Sequence, residues 1–286
     1  MSGHTSDLMA AVRDLYPHDL GLRGCGVWLR ESNPRFAMGA VKALRMRHVG
    51  FQNCRKVNAC PRCADYRSRR LVGRLTRILA TWAGHGDWLH VTLDMPWEKN
   101  LAASGAFKKF KGVKETFMAS RQLAEILGPD YAGSVTATEL VYSPDSGWGP
   151  HQHLPFAVPK QSQSSRALVS KELRMLWKAC LRANGFKDDA LERSINVRLV
   201  GVEPQDYLRI AKYLAKGLQA ASRSAGPSLS RFQLLREFVT TGEIEQADRY
   251  KDAVAALKHS PPMLVSRKLN QTLKALPAKT AAVSTS

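Results

Sequence analysis

Two histidines stand one residue apart in the stretch GPHQHLPFAV, residues 149–158. On a β-strand, residues 151 and 153 point to the same face, so the imidazoles of His151 and His153 can converge on one cation. Two nitrogens do not complete the shell of a hard divalent ion. Glu139 precedes a turn at residues 143–147, and a hairpin would bring it alongside the histidines. We therefore predict a cation site formed by His151, His153 and Glu139, although an isolated histidine pair most often decorates a surface strand.

The cysteines indicate a second metal site of a different kind. Cys60 and Cys63 are separated by two residues, a gap that lets two thiolates face one tetrahedral Zn²⁺. Cys54 and Cys25 are favoured as the outer ligands, with His48 as a substitute. A redox-active pair and unliganded thiols are the alternatives. A redox pair usually accompanies a strand, however, and the surroundings here are basic and loop-rich, so we expect a structural zinc site.

A tyrosine and a lysine in YLRIAKYLAKG, residues 207–217, could supply a nucleophile and a charge. Tyr213 and Lys216 are three residues apart, which on a helix places them on one face. A tyrosine hydroxyl near a metal-polarised phosphate can attack phosphorus and join the chain covalently to DNA, while a lysine helps to balance charge. The simpler interpretation is that Tyr213 and its neighbours are half-buried helix residues.

The elements that must position these residues follow from the periodicity of the apolar residues. Strands are predicted at residues 87–96, 131–144, 154–159 and 195–202. Helices are predicted at residues 6–16, 64–82, 106–127, 170–185 and 204–218, with two further helical patterns beyond residue 221. This order predicts an α+β fold with a mainly antiparallel central sheet flanked by helices. The predicted regions are 1–20, a lead-in; 21–80, a basic zinc-binding region; 81–220, the sheet domain; and 221–286, helices with a flexible tail.

The charge of the chain indicates a polyanionic partner. Its 286 residues carry 43 lysines and arginines against 24 acids, a formal net charge of +19. Residues 21–80 are especially basic, and Arg67, Arg69 and Arg70 are predicted to contact phosphates, unless they merely form a solvated face. No stretch of about 18 apolar residues and no signal-like segment occurs, so we expect a cytoplasmic protein with no membrane partner.

Together these features resemble a known family. Glu139, then GWGPHQHLPFAV, then a strand, then AKYLAKG follow the order of motifs in the HUH endonucleases, in particular the single-tyrosine rolling-circle replication initiators of plasmids and phages. The resemblance extends over roughly residues 25 to 275. It includes a first-motif strand at HVTLDMP and the region CPRCADYRSRR upstream.

The resemblance implies a fold, an activity and partners. The fold would be the ferredoxin-like or RRM-like palm of HUH nucleases. Tyr213 would cut one origin strand and become joined to its 5′ phosphate, with Lys216 assisting, and the freed 3′ hydroxyl would prime replication. His151 and His153, with Glu139 as third ligand, would hold Mg²⁺ or Mn²⁺. The partners would be single-stranded and hairpin origin DNA and a host helicase.

The sequence departs from the family pattern at two positions. Gln152 stands where a bulky apolar residue is usual, and Arg209 stands where other members place a second tyrosine or a glutamate. Tyr207 is about 240° round the helix from Tyr213 and is not expected to replace it. The alternatives are an HUH transposase or relaxase with the same chemistry, or a non-catalytic zinc-containing nucleic-acid-binding protein. Metal-dependent nicking separates the last of these from the others.

Overall fold

The computed structural model describes residues 3–26, 53–187, 191, 194–200, 203–219 and 228–276. The α-helices are α1 (Gly3–Leu15), α2 (Leu20–Gly24), α3 (Pro61–Ala83), α4 (Ala103–Ala119), α5 (Arg121–Leu127), α6 (Gln163–Ala183), α7 (Pro204–Leu214), α8 (Arg231–Thr241), α9 (Ile244–Ala256) and α10 (Arg267–Ala275). The strands are β1 (Asp87–Asp94), β2 (Gly133–Ser143), β3 (Gly147–Val158), β4 (Ile195–Leu199), β5 (Leu229–Ser230) and β6 (Met263–Val265). A 3₁₀ turn, Lys216–Leu218, follows α7. Within the described ranges, no helix combines the length and the apolar character that crossing a membrane requires.

The four longer strands form one sheet in the order β4-β1-β3-β2, and each neighbouring pair is antiparallel. The short strands β5 and β6 both pair with β2. The connection from β1 to β2 runs through α4 and α5 and passes over β3, while the connection from β3 to β4 runs through α6 and passes over β1. Two interlocked β-α-β units of this kind make a split β-α-β arrangement. The predicted α+β class, with a mainly antiparallel sheet flanked by helices, is confirmed.

The two faces of the sheet differ because successive side chains of a strand point to opposite sides. Val91 and Leu93 of β1 face α4 and α6 and pack in one apolar cluster with Trp177. Trp88 of β1 points the other way and packs in a second cluster with Leu79 of α3. This second face is covered by α3 and α7 at one end, and the rest of it is polar.

The hairpin between β2 and β3 sets the register of the central strands. β2 ends at Ser143 and β3 begins at Gly147, as the predicted turn at 143–147 requires. Gly147 has φ +86°, and a Cβ there would lie 2.9 Å from the Cα of Lys99, so glycine suits both the backbone and the space. The resulting register places Glu139 directly opposite His151.

The N-terminal and C-terminal parts of the described chain share a core beside the sheet. The loop before α3 and helix α9 contribute Cys60 and Tyr250 to one apolar cluster. Arg231 is buried, and its Nε donates a hydrogen bond of 2.9 Å to the carbonyl of Asn58. The hydroxyl of Tyr250 donates to the carbonyl of Ala59. The α8–α9 pair therefore holds the cysteine-rich loop in place.

Several predicted elements have different bounds in the structure. The strand predicted at residues 154–159 begins at Gly147, and the helix predicted at residues 170–185 begins at Gln163. The helix predicted at residues 106–127 is divided at Ser120, whose extended backbone, φ −64° and ψ 129°, ends α4 and begins α5. The helix predicted at residues 204–218 ends as an α-helix at Leu214, and a 3₁₀ turn begins at Lys216. Gly217 has a low helix propensity, which agrees with the early end.

Candidate functional site

The polar part of the second sheet face gathers side chains from three neighbouring strands. In the register of β1 and β3, Thr92 lies opposite His153 and Asp94 lies opposite His151. In the register of β2 and β3, Glu139 lies opposite His151. Residues directly opposite each other in an antiparallel pair project from the same face, so these five side chains form one polar surface. The predicted trio of His151, His153 and Glu139 is therefore brought to one place.

His153 is the buried member of the histidine pair. Its Nδ1 lies 3.2 Å from Oγ1 of Thr92, within hydrogen-bond distance. Its Nε2 is buried and has no hydrogen-bond partner, and the nearest carboxylate oxygen, Oε2 of Glu139, is 3.7 Å away. Burial lowers the pKa of His153 even though Glu139 acts to raise it. A neutral imidazole with an unengaged, buried nitrogen is the form that can bind a cation.

His151 is paired with a different carboxylate. Its Nδ1 is in hydrogen-bond contact with Oδ1 of Asp94. Burial acts to lower the pKa of His151, but the hydrogen bond and charge of Asp94 outweigh it and raise the pKa. A carboxylate on Nδ1 orients the ring and leaves Nε2 for a ligand. Asp94 was not among the residues predicted, although alternation along HVTLD, residues 90–94, places His90, Thr92 and Asp94 on one face.

Glu139 has a basic partner as well as the histidine. Lys216 Nζ lies 3.0 Å from Oε2 of Glu139. Burial acts to raise the pKa of Glu139, but the nearby imidazole of His153 and the charge of Lys216 outweigh it and lower the pKa to about 2. In turn, burial acts to lower the pKa of Lys216, and the charge of Glu139 outweighs it and raises the pKa. Both groups are therefore ionised at neutral pH.

Tyr213 lies in the last turn of α7, over the histidines. Its ring centroid is 4.8 Å from that of His153, and Lys216 Nζ is 4.6 Å from its centroid. The residue is 39% exposed, whereas Tyr207 on the same helix is 6% exposed and packs in the cluster under α3. Tyr213 is thus the tyrosine of α7 that a ligand can reach.

A third histidine, His90, lies beside His153 and Tyr213 and was not predicted. It is buried, and its Nε2 has no hydrogen-bond partner. Its ring centroid lies 5.6 Å from that of His153 and 5.8 Å from that of Tyr213. Burial first, and then repulsion from His153 when that ring is protonated, lowers the pKa of His90 to about 3, so the ring is neutral at physiological pH.

These side chains line a cavity of about 930 Å³ between the sheet and α7. Its lining includes three cationic groups, Arg198 of β4, Arg209 of α7 and Lys216, beside the carboxylates of Asp94, Glu139 and Asp206. Arg209 forms an ion pair with Asp206, which also lines the cavity. Cationic groups beside an aromatic hydroxyl suit a phosphate-bearing ligand.

The four predicted zinc ligands come together on the other side of α3. Cys25, Cys54, Cys60 and Cys63 place their sulfur atoms within 4.8 Å of one another. The Cys25–Cys63 and Cys54–Cys63 distances are 3.6 Å, close to the roughly 3.8 Å that tetrahedral Zn²⁺ with Zn–S bonds of about 2.3 Å requires. Hydrogen bonds from neighbouring thiols, that of Cys54 first, lower the pKa of Cys25. The cluster could hold a zinc ion, and the proposed substitute, His48, lies outside the described residues.

The cysteine cluster and the histidine site differ in how closely their ligands are gathered. Among the residues that the structure describes, the cysteines are the one group of three or more His, Cys, Asp or Glu side chains close enough to hold a metal ion as they stand. The predicted cation ligands are held apart because His151 contacts Asp94 while Glu139 contacts Lys216. Binding of a divalent cation by these three would therefore require side-chain movement.

The predicted phosphate contacts lie on α3, the helix that packs against α7. Arg67, Arg69 and Arg70 are exposed. Ser68, between them, is buried, and its hydroxyl lies 3.5 Å from the carbonyl of Ala215, the residue before Lys216. The arginines thus project from a helix that is anchored beside the cavity.

Comparisons of the chain with protein-family models, with curated proteins and with solved structures find no match. A function for the chain is therefore argued from its own residues.

Proposed function

We propose that the chain is a DNA-nicking enzyme of the HUH type, a rolling-circle replication initiator that cuts one origin strand through Tyr213. The observation that carries the proposal is the convergence of Tyr213, His153 and Glu139, with Lys216, in one cavity. These side chains come from α7, β3, β2 and the turn after α7. A reachable hydroxyl, cation ligands and a positive charge are the parts that nucleophilic phosphate transfer uses.

The arrangement of the sheet supports the same proposal. The split β-α-β order agrees with the ferredoxin-like palm that the motif resemblance implies. The histidine pair lies on β3, a central strand, where its neighbours on both sides can add ligands. Tyr213 lies on the helix that covers the same face. A site assembled from secondary-structure elements holds its groups more rigidly than one built from loops.

In the proposed reaction, the phenolic oxygen of Tyr213 attacks the scissile phosphorus of a single strand. A bond forms between that oxygen and the 5′ phosphate, and the bond from phosphorus to the 3′ oxygen breaks. The phenol loses its proton, and the departing 3′ oxygen gains one. Lys216 remains protonated beside Tyr213 because Glu139 raises its pKa, so it stabilises the negative charge of the phosphate.

His151, His153 and Glu139 would hold the divalent cation, Mg²⁺ or Mn²⁺. The unpartnered Nε2 of His153 fits this role, and the contacts that Thr92 and Asp94 make with the two Nδ1 atoms would orient both rings. The bound cation would polarise the phosphate and neutralise the charge that develops on it. In the same proposal the four cysteines bind structural Zn²⁺ and fix the start of α3.

The substrate of the proposed enzyme is single-stranded or hairpin origin DNA. The net charge of +19 and the cationic side chains in the cavity lining support a polyanionic substrate. Arg67, Arg69 and Arg70 would contact phosphates of the duplex or hairpin part, while the single strand enters the cavity. Unwinding of the origin would come from a host helicase.

A covalent-adduct assay tests the proposal. Tiled, end-labelled single-stranded fragments of the DNA that carries the gene are incubated with protein and Mn²⁺, and adducts are separated on denaturing gels. We expect an adduct with the wild-type protein that disappears in Tyr213→Phe and in reactions from which Mn²⁺ is left out. Tyr66→Phe is a matched control, because Tyr66 is 51% exposed and lies on α3. Its adduct should be unchanged.

Two other outcomes would indicate a different nucleophile or a different function. An adduct that persists in Tyr213→Phe would mean that another residue is the nucleophile. DNA binding without an adduct on any fragment of either strand would contradict the nicking proposal and support a non-catalytic nucleic-acid-binding protein.

A further inference from the structure

Trp97, which has no role in the proposed nicking reaction, lies beside the histidine pair. Trp97 follows β1, and its indole rests on β3 at Gly149. A Cβ added at Gly149 would lie 2.1 Å from Cε2, 2.2 Å from Cζ2 and 2.6 Å from Nε1 of Trp97, so the indole fills the place of a side chain at position 149. Residues 149 and 151 of a strand project from the same face. Trp97 therefore lies on the polar face, and its ring centroid is 5.8 Å from that of His151.

Trp97 differs from the tryptophans that hold the core together. Trp82, Trp88 and Trp177 are buried, and each donates its indole N–H to a backbone carbonyl. Trp97 is partly exposed. Among the described residues, no hydrogen-bond acceptor is recorded for its Nε1. Because Trp97 is not fully enclosed, part of its indole is available to a flat partner, whereas a core tryptophan is not.

We propose that Trp97 is a stacking platform for a nucleobase of the single strand that the proposed nicking site binds. This inference rests on the proposed function for the identity of the strand. Bases stack on aromatic side chains in a sequence-tolerant way, while cationic groups follow the phosphates. Arg198 and Lys216 in the cavity supply the cations, and Trp97 on the other side of His151 supplies the aromatic surface. The base on Trp97 would hold the backbone across the histidines and towards Tyr213.

The test compares a strand that has bases with one that lacks them. Fluorescence anisotropy measures binding of an oligonucleotide of about 20 thymidines and of an abasic oligonucleotide of equal length, without added divalent cation. We expect Trp97→Leu to weaken thymidine binding by about 5- to 100-fold and to leave abasic binding unchanged. Trp97→Phe should retain most of the preference for bases, because it keeps an aromatic face. Gly149→Ala should reduce the preference as Trp97→Leu does, because the new methyl group displaces the indole.

The outcomes separate this inference from the proposed function. Equal preference for bases in wild-type protein and in folded Trp97→Leu, checked by circular dichroism, would overturn the platform. If Trp97→Leu does not fold, an unchanged preference in Gly149→Ala would overturn it instead. Tyr213→Phe should keep the preference, because it alters the nucleophile and not the platform. The wild-type protein could form no covalent adduct while Trp97→Leu still loses the preference for strands with bases. That result would support the platform and contradict nicking.

Discussion

Replacing Glu139 by glutamine should remove a pH-dependent part of the protein's stability. Glu139 is 8% exposed, and its pKa falls from the ordinary 4.5 to about 2 because His153 and Lys216 outweigh the effect of burial. At about 1.4 kcal/mol per pH unit, this difference corresponds to at most about 3 kcal/mol of unfolding free energy. Because the folded-state pKa is the lower one, the contribution is complete above pH 4.5 and is lost as the pH falls towards 2.

Urea unfolding of wild-type protein and Glu139→Gln between pH 7 and pH 3 measures this contribution. The stability difference between the two proteins should be at most about 3 kcal/mol at pH 7 and should fall to about half of its pH 7 value near pH 3. Acid would release any zinc that the cysteines hold from both proteins alike, so the contribution of Glu139 is read from the difference between the two curves. Glu125→Gln is the control, because Glu125 pairs with Arg121 on the surface.

A pH-independent difference would refute this reasoning, because it would mean that Glu139 is not held ionised by its neighbours. A stability difference that grows as the pH falls would mean that the pKa shift of Glu139 has the opposite sign. It would indicate a carboxyl whose pKa is raised by burial alone.

Three further predictions concern the zinc cluster, the histidine pair and the basic helix. Cys63→Ser should abolish zinc retention, measured by metal analysis, and lower the unfolding temperature; retained zinc would contradict the four-cysteine site. Asp94→Asn should weaken Mn²⁺ binding in titration calorimetry by about 10- to 100-fold, because the amide no longer orients the His151 ring as a carboxylate does; unchanged affinity would exclude that role. Joint replacement of Arg67, Arg69 and Arg70 by alanine should reduce the magnitude of the slope of log affinity against log salt by about 3 on hairpin DNA with a duplex stem. Adduct formation with a saturating short strand should persist, and equal loss in both assays would count against a docking role.

The position of Glu139 could be predicted from the sequence because a tight hairpin fixes its own register. Glu139 and His151 are joined by a turn at residues 143–147, and the pairing follows from counting back along both strands. The four cysteines could be predicted for a different reason. Their ligand chemistry requires them to meet, even though Cys25 and Cys63 are 38 residues apart.

The roles of Asp94 and His90 depend on pairings that the sequence leaves open. β1 lies beside β3 only because the two β-α-β units are interlocked, and no turn connects these strands. Alternation shows that His90 and Asp94 share a face, but not which strand that face adjoins. The contact of Trp97 with Gly149 is similar, since it depends on the path of the chain after β1. Local patterns predict elements, whereas contacts between distant elements follow from the assembled sheet.

The most direct test of the central claim is to locate the covalent bond. Protein is incubated with its nicked strand and Mn²⁺, digested with nuclease and trypsin, and analysed by tandem mass spectrometry. Our account predicts a nucleotide 5′-phosphate on the peptide that contains Tyr213 and on no other tyrosine. A nucleotide on a different residue, or cleaved DNA with no modified peptide, would contradict it.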